Sequence, residues 1–183
     1  PRGAAVAVDI EIIVRNRQRL HRVEGRQIRE LARWLLTEVF PPAPAELGIH
    51  LVGDAEMTRV NWQYLQHEGS TDVITFDHRD PDEANEPGWN GELFICVAGA
   101  VRQAAAFGTS WEQEVARYVI HGVLHLAGHD DHDPARRRMT LHAQSIVRHR
   151  KNRLARVGIV AVHAGHTGMT HAATGWRSLT GNK

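Results

Sequence analysis

A chain of 183 residues is long enough to bury the core of one ordinary domain and too short for two large ones. Hydrophobic residues at 42% and charged residues at 23% exclude a disordered or collagen-like polymer and fit a folded globular protein. A formal net charge of +1, from 22 Lys and Arg against 21 Asp and Glu, excludes a polycation that coats nucleic acid along its whole surface, so any basic contact surface is local.

The first predicted element is a strand over Val6–Val14, where Val6, Val8, Ile10 and Ile12 alternate with smaller or polar residues. From Gly25 to Phe40 the apolar residues Ile28, Leu31, Ala32, Leu35, Leu36 and Val39 recur at three- and four-residue steps, which predicts a helix stopped by Pro41-Pro42. Glu46–Val52 reads as a strand. Asp54 then reads as the N-cap of a helix carrying Met57, Val60, Asn61, Tyr64 and Leu65, with Gly69-Ser70 as the following loop.

Thr71–Asp77 is β-branched and aromatic and predicts a strand, and the Pro- and Gly-containing stretch Asp80–Gly91 leads into another at Glu92–Val97. The single cysteine, Cys96, lies in that apolar run, where a buried thiol is the expected role and no internal disulfide can form. Ala98–Phe107 predicts a helix ending near Gly108. Ser110 and Gln113 then make a capping-box pattern for a helix that runs through Val115, Val119, Ile120, Val123 and Leu124 and stops at Gly128.

Asp133-Pro134 opens a basic helix through Met139, Ile146 and Val147 to about Arg156. Beyond Val162 the aperiodic Gly, Thr, Ala and His residues predict a flexible tail over 163–183, leaving 1–162 as a single domain. This order belongs to the α+β or α/β sandwich classes, and α+β is the expectation: a small mixed sheet packed against helices. No stretch approaches the length of an apolar membrane span and no leader peptide is evident, so a cytoplasmic protein with no membrane partner is expected.

Thirteen histidines are unusual, and one group of them decides the chemistry. The run His121-Gly122-Val123-Leu124-His125-Leu126-Ala127-Gly128-His129-Asp130-Asp131-His132 stands at the end of an otherwise apolar helix. Residues four apart project side by side from one helix face, so His121 and His125 can share a metal ion. Gly128 lets the chain leave the helix and turn back, bringing a third ligand from Asp130 to His132 within reach. Three protein ligands leave a position open for water, which is the arrangement of a hydrolytic zinc centre. The spacing is like that of the H-E-x-x-H zinc peptidases, but Gly122 stands where those enzymes carry their glutamate base, and this disfavours a peptidase. The bland alternative, two polar residues on a solvent face, fits poorly with neighbours as apolar as Val119, Ile120, Val123, Leu124 and Leu126.

On these residues the chain resembles the YbeY family of bacterial metal-dependent endoribonucleases and ribosomal RNA maturation factors. The resemblance rests on H-G-x-L-H-L-x-G at His121–Gly128, on Asn61-x-x-Tyr64 followed by Thr71-Asp72-Val73-Ile74-Thr75-Phe76, and on Gly91-Glu92-Leu93, and it spans about residues 8–155. It implies an α+β fold with the metal site at the end of a central helix and one Zn²⁺ per chain, held by His121, His125 and His132. It also implies an endoribonuclease in which zinc-bound water attacks the phosphodiester of single-stranded RNA, with ribosomal RNA precursors and the small ribosomal subunit as partners.

Two positions depart from the family pattern. The third family histidine directly follows the aspartate, where this chain has Asp131, and the histidine comes one residue later. His132 is preferred because an imidazole completes a three-histidine set, with Asp131 an acceptable oxygen ligand. The family arginine after the tyrosine of the second helix, thought to take part in cleavage, is Leu65 here. Arg59, Gln66 and His67 lie within a turn of it, no residue inherits the role, and no catalytic side chain is assigned. An RNA-binding assembly factor with a mainly structural metal is therefore the alternative.

The remaining candidates have ordinary readings beside functional ones. Arg136-Arg137-Arg138 and the Arg148–Arg153 group give the last predicted helix a basic face, which either contacts phosphates or is simply solvated. His163, His166 and His171 lie in the predicted tail and carry no assigned function. Trp34 and Trp62 are expected to be core or half-buried residues rather than base-stacking platforms. Asp72 and Asp77 bracket a strand, where turn and cap roles are the default and a bond to a ligand histidine is the functional option.

Overall fold

The computed structural model describes residues 8–80 and 87–128. The helix expected from Asp133, the tail at 163–183, the domain boundary at 162 and the positions Asp131 and His132 lie outside the described residues.

Four strands form one sheet: β1 (Ile10–Asn16), β2 (Ala45–Val52), β3 (Val73–Asp77) and β4 (Trp89–Cys96), in the order β1-β2-β4-β3. β1, β2 and β4 are parallel, and β3 runs antiparallel to β4. Helices α1 (Gly25–Trp34), α2 (Asp54–Leu65), α3 (Val97–Phe107) and α4 (Trp111–Leu126) complete the described fold. It is the α+β arrangement of a small mixed sheet against helices that the sequence predicts.

The strand pleat sends alternate residues to opposite faces. Leu47, Ile49, Leu51, Leu93 and Ile95 point to one face and are buried against Ile28, Leu31 and Ala32 of α1 and Val119, Val123 and Leu124 of α4. On the other face, Val52, Ile74, Phe76 and Cys96 form a second cluster with Met57 of α2. Cys96 is a fully buried thiol, as its apolar run predicts.

Several element ends differ from the pattern-based expectation for identifiable reasons. β1 begins at Ile10 and extends through Arg15 and Asn16, because those two polar residues pair with His50 and Leu51 of β2. β4 starts at Trp89 rather than Glu92. Its parallel partner begins at Ala45, and the Trp89 amide donates to the Pro44 carbonyl at 2.9 Å, so residues with loop-like composition join the ladder. The first helix widens into a π-helical turn over Leu35–Val39, closed by the Phe40 amide on the Leu35 carbonyl at 3.3 Å just before Pro41. The N-cap of α2 is Gly53, not Asp54. Asp54 sits in the first turn and receives both terminal nitrogens of Arg102 from α3, at 2.5 and 2.9 Å.

β1 lies at one edge of the sheet, and α1 runs beside it. The Arg33 guanidinium donates to the Ile10 carbonyl at 3.0 Å and that of Arg29 to the Ile12 carbonyl at 3.1 Å. Both acceptors face away from β2, which leaves them without a ladder partner of their own.

Candidate metal centre

α4 begins where the sequence predicts. Ser110 accepts the Gln113 amide at 3.3 Å and the Gln113 side chain accepts the Ser110 amide at 3.1 Å, a complete capping box. Glu114 in the first turn is 2% exposed; it accepts the Thr109 hydroxyl at 2.6 Å and pairs with Arg117. The helix is then pressed onto the sheet. A Cβ at Gly122 would lie 2.8 Å from Leu93 Cδ2, so the position filled by glutamate in zinc peptidases is here a close contact with β4.

This packing leaves His121 and His125 half-buried at the C-terminal end of α4. Their Nε2 atoms are 3.0 Å apart, with ring centroids at 4.4 Å and planes at 79°. Two nitrogens on one tetrahedral zinc, each about 2.0–2.1 Å from it, stand about 3.3 Å apart. The 3.0 Å contact is that of one imidazole hydrogen-bonded to the other, and it lies within a small ring rotation of the spacing for a shared ion, so a Zn²⁺ that displaces the shared proton fits this donor set. After Leu126 the helix ends: Gly128 has φ of 74° and its amide donates to the His125 carbonyl at 2.8 Å. The glycine thus turns the chain immediately beyond the second histidine, as its place in the sequence predicts. Among the described residues no third His, Cys, Asp or Glu joins the pair, and the expected third-ligand positions, His132 and Asp131, lie beyond them.

A feature that sequence reasoning missed stands at the same helix end. The Arg79 guanidinium donates to both oxygens of Asp77, at 2.6 Å to Oδ2 and 3.0 Å to Oδ1, and to the Leu126 carbonyl at 3.0 Å. Burial opposes the Asp77 charge, but the bonds from Arg79 outweigh it and hold the carboxyl below its ordinary range. Asp77 was readable as a turn residue, yet its partner two positions on lies in a stretch whose composition signals only a loop. The Asp72 backbone carbonyl accepts the Cys96 amide at 2.9 Å, joining β3's entry to the end of β4.

A second cluster missed in the sequence lies across the sheet from α4. Glu92 is held between His50 Nε2 at 2.9 Å and His78 Nε2 at 3.3 Å, and His50 stacks on Phe94 with centroids 4.5 Å apart. Burial raises the Glu92 carboxyl, and the two histidine hydrogen bonds more than offset this, so it stays ionised below the ordinary range. Glu92 and His78 border an open groove of about 330 Å³, along with Glu11, Arg15, Glu46 and Gly48. Glu92 and Gly48 project to the sheet face opposite Leu93 and Leu47, which pack on the α4 side.

The position of the absent family arginine is also accounted for. Leu65 packs against the second cluster beside Val60 and Phe94, an apolar role. Arg59 and His67 are exposed, and Gln66, in the left-handed conformation at φ of 56°, turns its side chain back onto the Trp62 carbonyl at 3.0 Å. Trp62 is 52% exposed and so not a core residue, because α2 buries Met57 and Asn61 and leaves Trp62 at the edge of that face, the half-buried of the two positions expected for it.

The family model described as Endoribonuclease YbeY matches residues 13–151. The chain belongs to the YbeY family. An Endoribonuclease YbeY from Bacteroides thetaiotaomicron is 33% identical over 119 residues, covering 64% of this chain and 83% of the relative. One from Chlorobium luteolum is 41% identical over 96 residues, 52% of this chain and 66% of the relative. The solution structure of TM1509 from Thermotoga maritima shares the fold with a TM-score of 0.50 and 22% identity, covering 78% of this chain and 95% of that one. The matched YbeY region thus includes both histidines of α4, the Asp77–Arg79 pair and the positions at which a third ligand is expected. No described helix is long and apolar enough to cross a membrane.

Proposed function

We propose that the chain is a metal-dependent endoribonuclease that cleaves single-stranded RNA in ribosomal RNA maturation, with one Zn²⁺ held by His121, His125 and His132. The observation that carries this reading is the pair of converging Nε2 atoms 3.0 Å apart at a glycine-terminated helix end, in a chain whose relatives are named endoribonucleases. When bound, the ion supplies a Lewis acid and a water whose pKa falls to about 7, which is hydrolytic chemistry at neutral pH.

The chain's own residues set the conditions for that chemistry. α4 fixes the two imidazoles on adjacent turns, and its packing through Gly122 on Leu93 keeps their spacing rigid. Ribosomal RNA precursors and the small ribosomal subunit are the partners this reading implies, with the cytoplasm as its compartment. The basic residues Arg136, Arg137 and Arg138 follow the histidine motif closely in sequence and supply phosphate-binding charge.

The test is elemental analysis and cleavage of a single-stranded RNA by wild type and by the His121→Ala/His125→Ala variant. About one zinc per chain in wild type, with both metal and cleavage lost in the variant, is the expected result. Cleavage at the wild-type rate by the variant overturns the reading. A second reading is favoured by the apolar packing of Leu65: an RNA-binding assembly factor with a structural metal, for which wild type binds RNA and zinc but turns over no substrate.

A further inference from the structure

The end of α4 carries three consecutive demands. It must present His125, stop, and send the chain onward toward the expected third ligand. Helix C-termini leave their last carbonyls without intrahelical partners, and they concentrate partial negative charge. Here the Leu126 carbonyl, next in the chain after His125, accepts Arg79 Nη2 at 3.0 Å. The same guanidinium is anchored by Asp77 at 2.6 and 3.0 Å, and it reaches the Gly88 carbonyl at 3.4 Å. One side chain therefore fastens the last turn of the histidine helix to the end of β3 and to the start of β4's approach. Gly91 of β4 closes the fourth side, since a Cβ there would lie 2.7 Å from Leu126 Cδ2.

We propose that Arg79, oriented by Asp77, is the positioning residue of the metal centre: it fixes the last turn of α4 so that His125 stays in register with His121 for a shared ion. This inference rests on the metal reading above. Arg79 does not replace the cationic group missing at Leu65, because its fork is already committed to a carboxylate and two carbonyls. It acts through the backbone that carries the ligand. A planar bidentate fork is required, since a lysine ammonium cannot grip the Asp77 carboxylate on two oxygens while also reaching Leu126.

The experiment loads full-length wild type, Arg79→Met, Arg79→Lys and Asp77→Asn with Zn²⁺ alone and follows release to an excess of coloured chelator. Circular dichroism of the same samples reports folding, and hydrogen exchange reports the Ala127 and Gly128 amides. Loss of groups that support a metal ligand from behind commonly weakens binding by about 10–100-fold. Zinc release at least about tenfold faster from Arg79→Met is expected, without rescue by Arg79→Lys. Faster exchange should be confined to the last turn of α4, a pattern that general loss of stability would not give.

Release at the wild-type rate from folded Arg79→Met overturns the proposal, as does full rescue by lysine. Should Arg79→Met fail to fold, Asp77→Asn keeps the volume and removes the charge that orients the guanidinium; wild-type release from that variant overturns the proposal equally. A wild type that takes up no Zn²⁺ overturns the metal reading itself, an outcome distinct from tight zinc that ignores Arg79.

Discussion

Two glycines set the spacing between α4 and the sheet, and they do so against different kinds of neighbour. A Cβ at Gly91 would lie 2.5 Å from the Phe76 carbonyl oxygen as well as 2.7 Å from Leu126 Cδ2. A carbonyl in the β3–β4 ladder cannot swing aside, so the strands themselves must separate. At Gly122 the obstacle is the side chain of Leu93, and alanine brings back about 0.5–1 kcal/mol of helix preference over glycine. Overpacking of a filled core costs about 1–3 kcal/mol. Gly91→Ala is therefore expected to cost about 3 kcal/mol and Gly122→Ala about 1 kcal/mol in urea denaturation; the reverse order would show that Leu93 is the harder wall. Burial pushes the Cys96 thiol up, so the lone cysteine serves as core and not as a nucleophile.

Between elements, the pair Asp54–Arg102 joins the first turn of α2 to α3 on the surface. The hydrogen bonds from Arg102 hold the Asp54 carboxyl down at about 2. A depressed carboxyl contributes stability above its unfolded value near 4, and that contribution is lost as pH falls through about 2. Both side chains are about half exposed, so the pair is worth under about 1 kcal/mol. Arg102→Met is expected to lower the urea midpoint slightly at pH 7, with the difference from wild type shrinking to nothing between about pH 4 and pH 2. A difference that persists at pH 2 would mean that the Arg102 stem, not its charge, supports α3. The helices were legible from apolar periodicity and caps because those signals are local: Ser110 with Gln113 and the glycines at 108 and 128 do in the structure what their sequence positions imply. Strand ends were less legible. The extensions through Asn16 and back to Trp89 follow from pairing with residues 35 to 45 positions away, which no window along the chain contains.

The same division holds for the whole molecule and its site. The histidine pair was readable because both ligands lie on one helix at a fixed offset, whereas Arg79 on the Leu126 carbonyl joins residues 47 apart through a backbone acceptor that any residue type offers. Charge is also divided along the chain. Ten of the 22 Lys and Arg residues lie beyond Gly128 with three of the 21 acidic ones, so the part bearing the sheet is acidic and the part beyond it basic. An RNA contact made by that basic part predicts binding that weakens with salt, at a slope of about 0.7 per phosphate contact on a single strand. Replacing Arg136, Arg137 and Arg138 by glutamine is expected to reduce the slope by about 2 in filter binding from 50 to 300 mM salt; an unchanged slope would move the contact elsewhere. The edge of the sheet has a consequence of another kind. With Arg29 and Arg33 seated on two outward carbonyls of β1, a peptide or a second copy that lengthens the sheet there by strand addition must first displace both guanidinium groups, which disfavours that pairing and the cross-β stacking an exposed edge invites. Association at β1 is then left to side chains and charge rather than to the sheet's own hydrogen bonding.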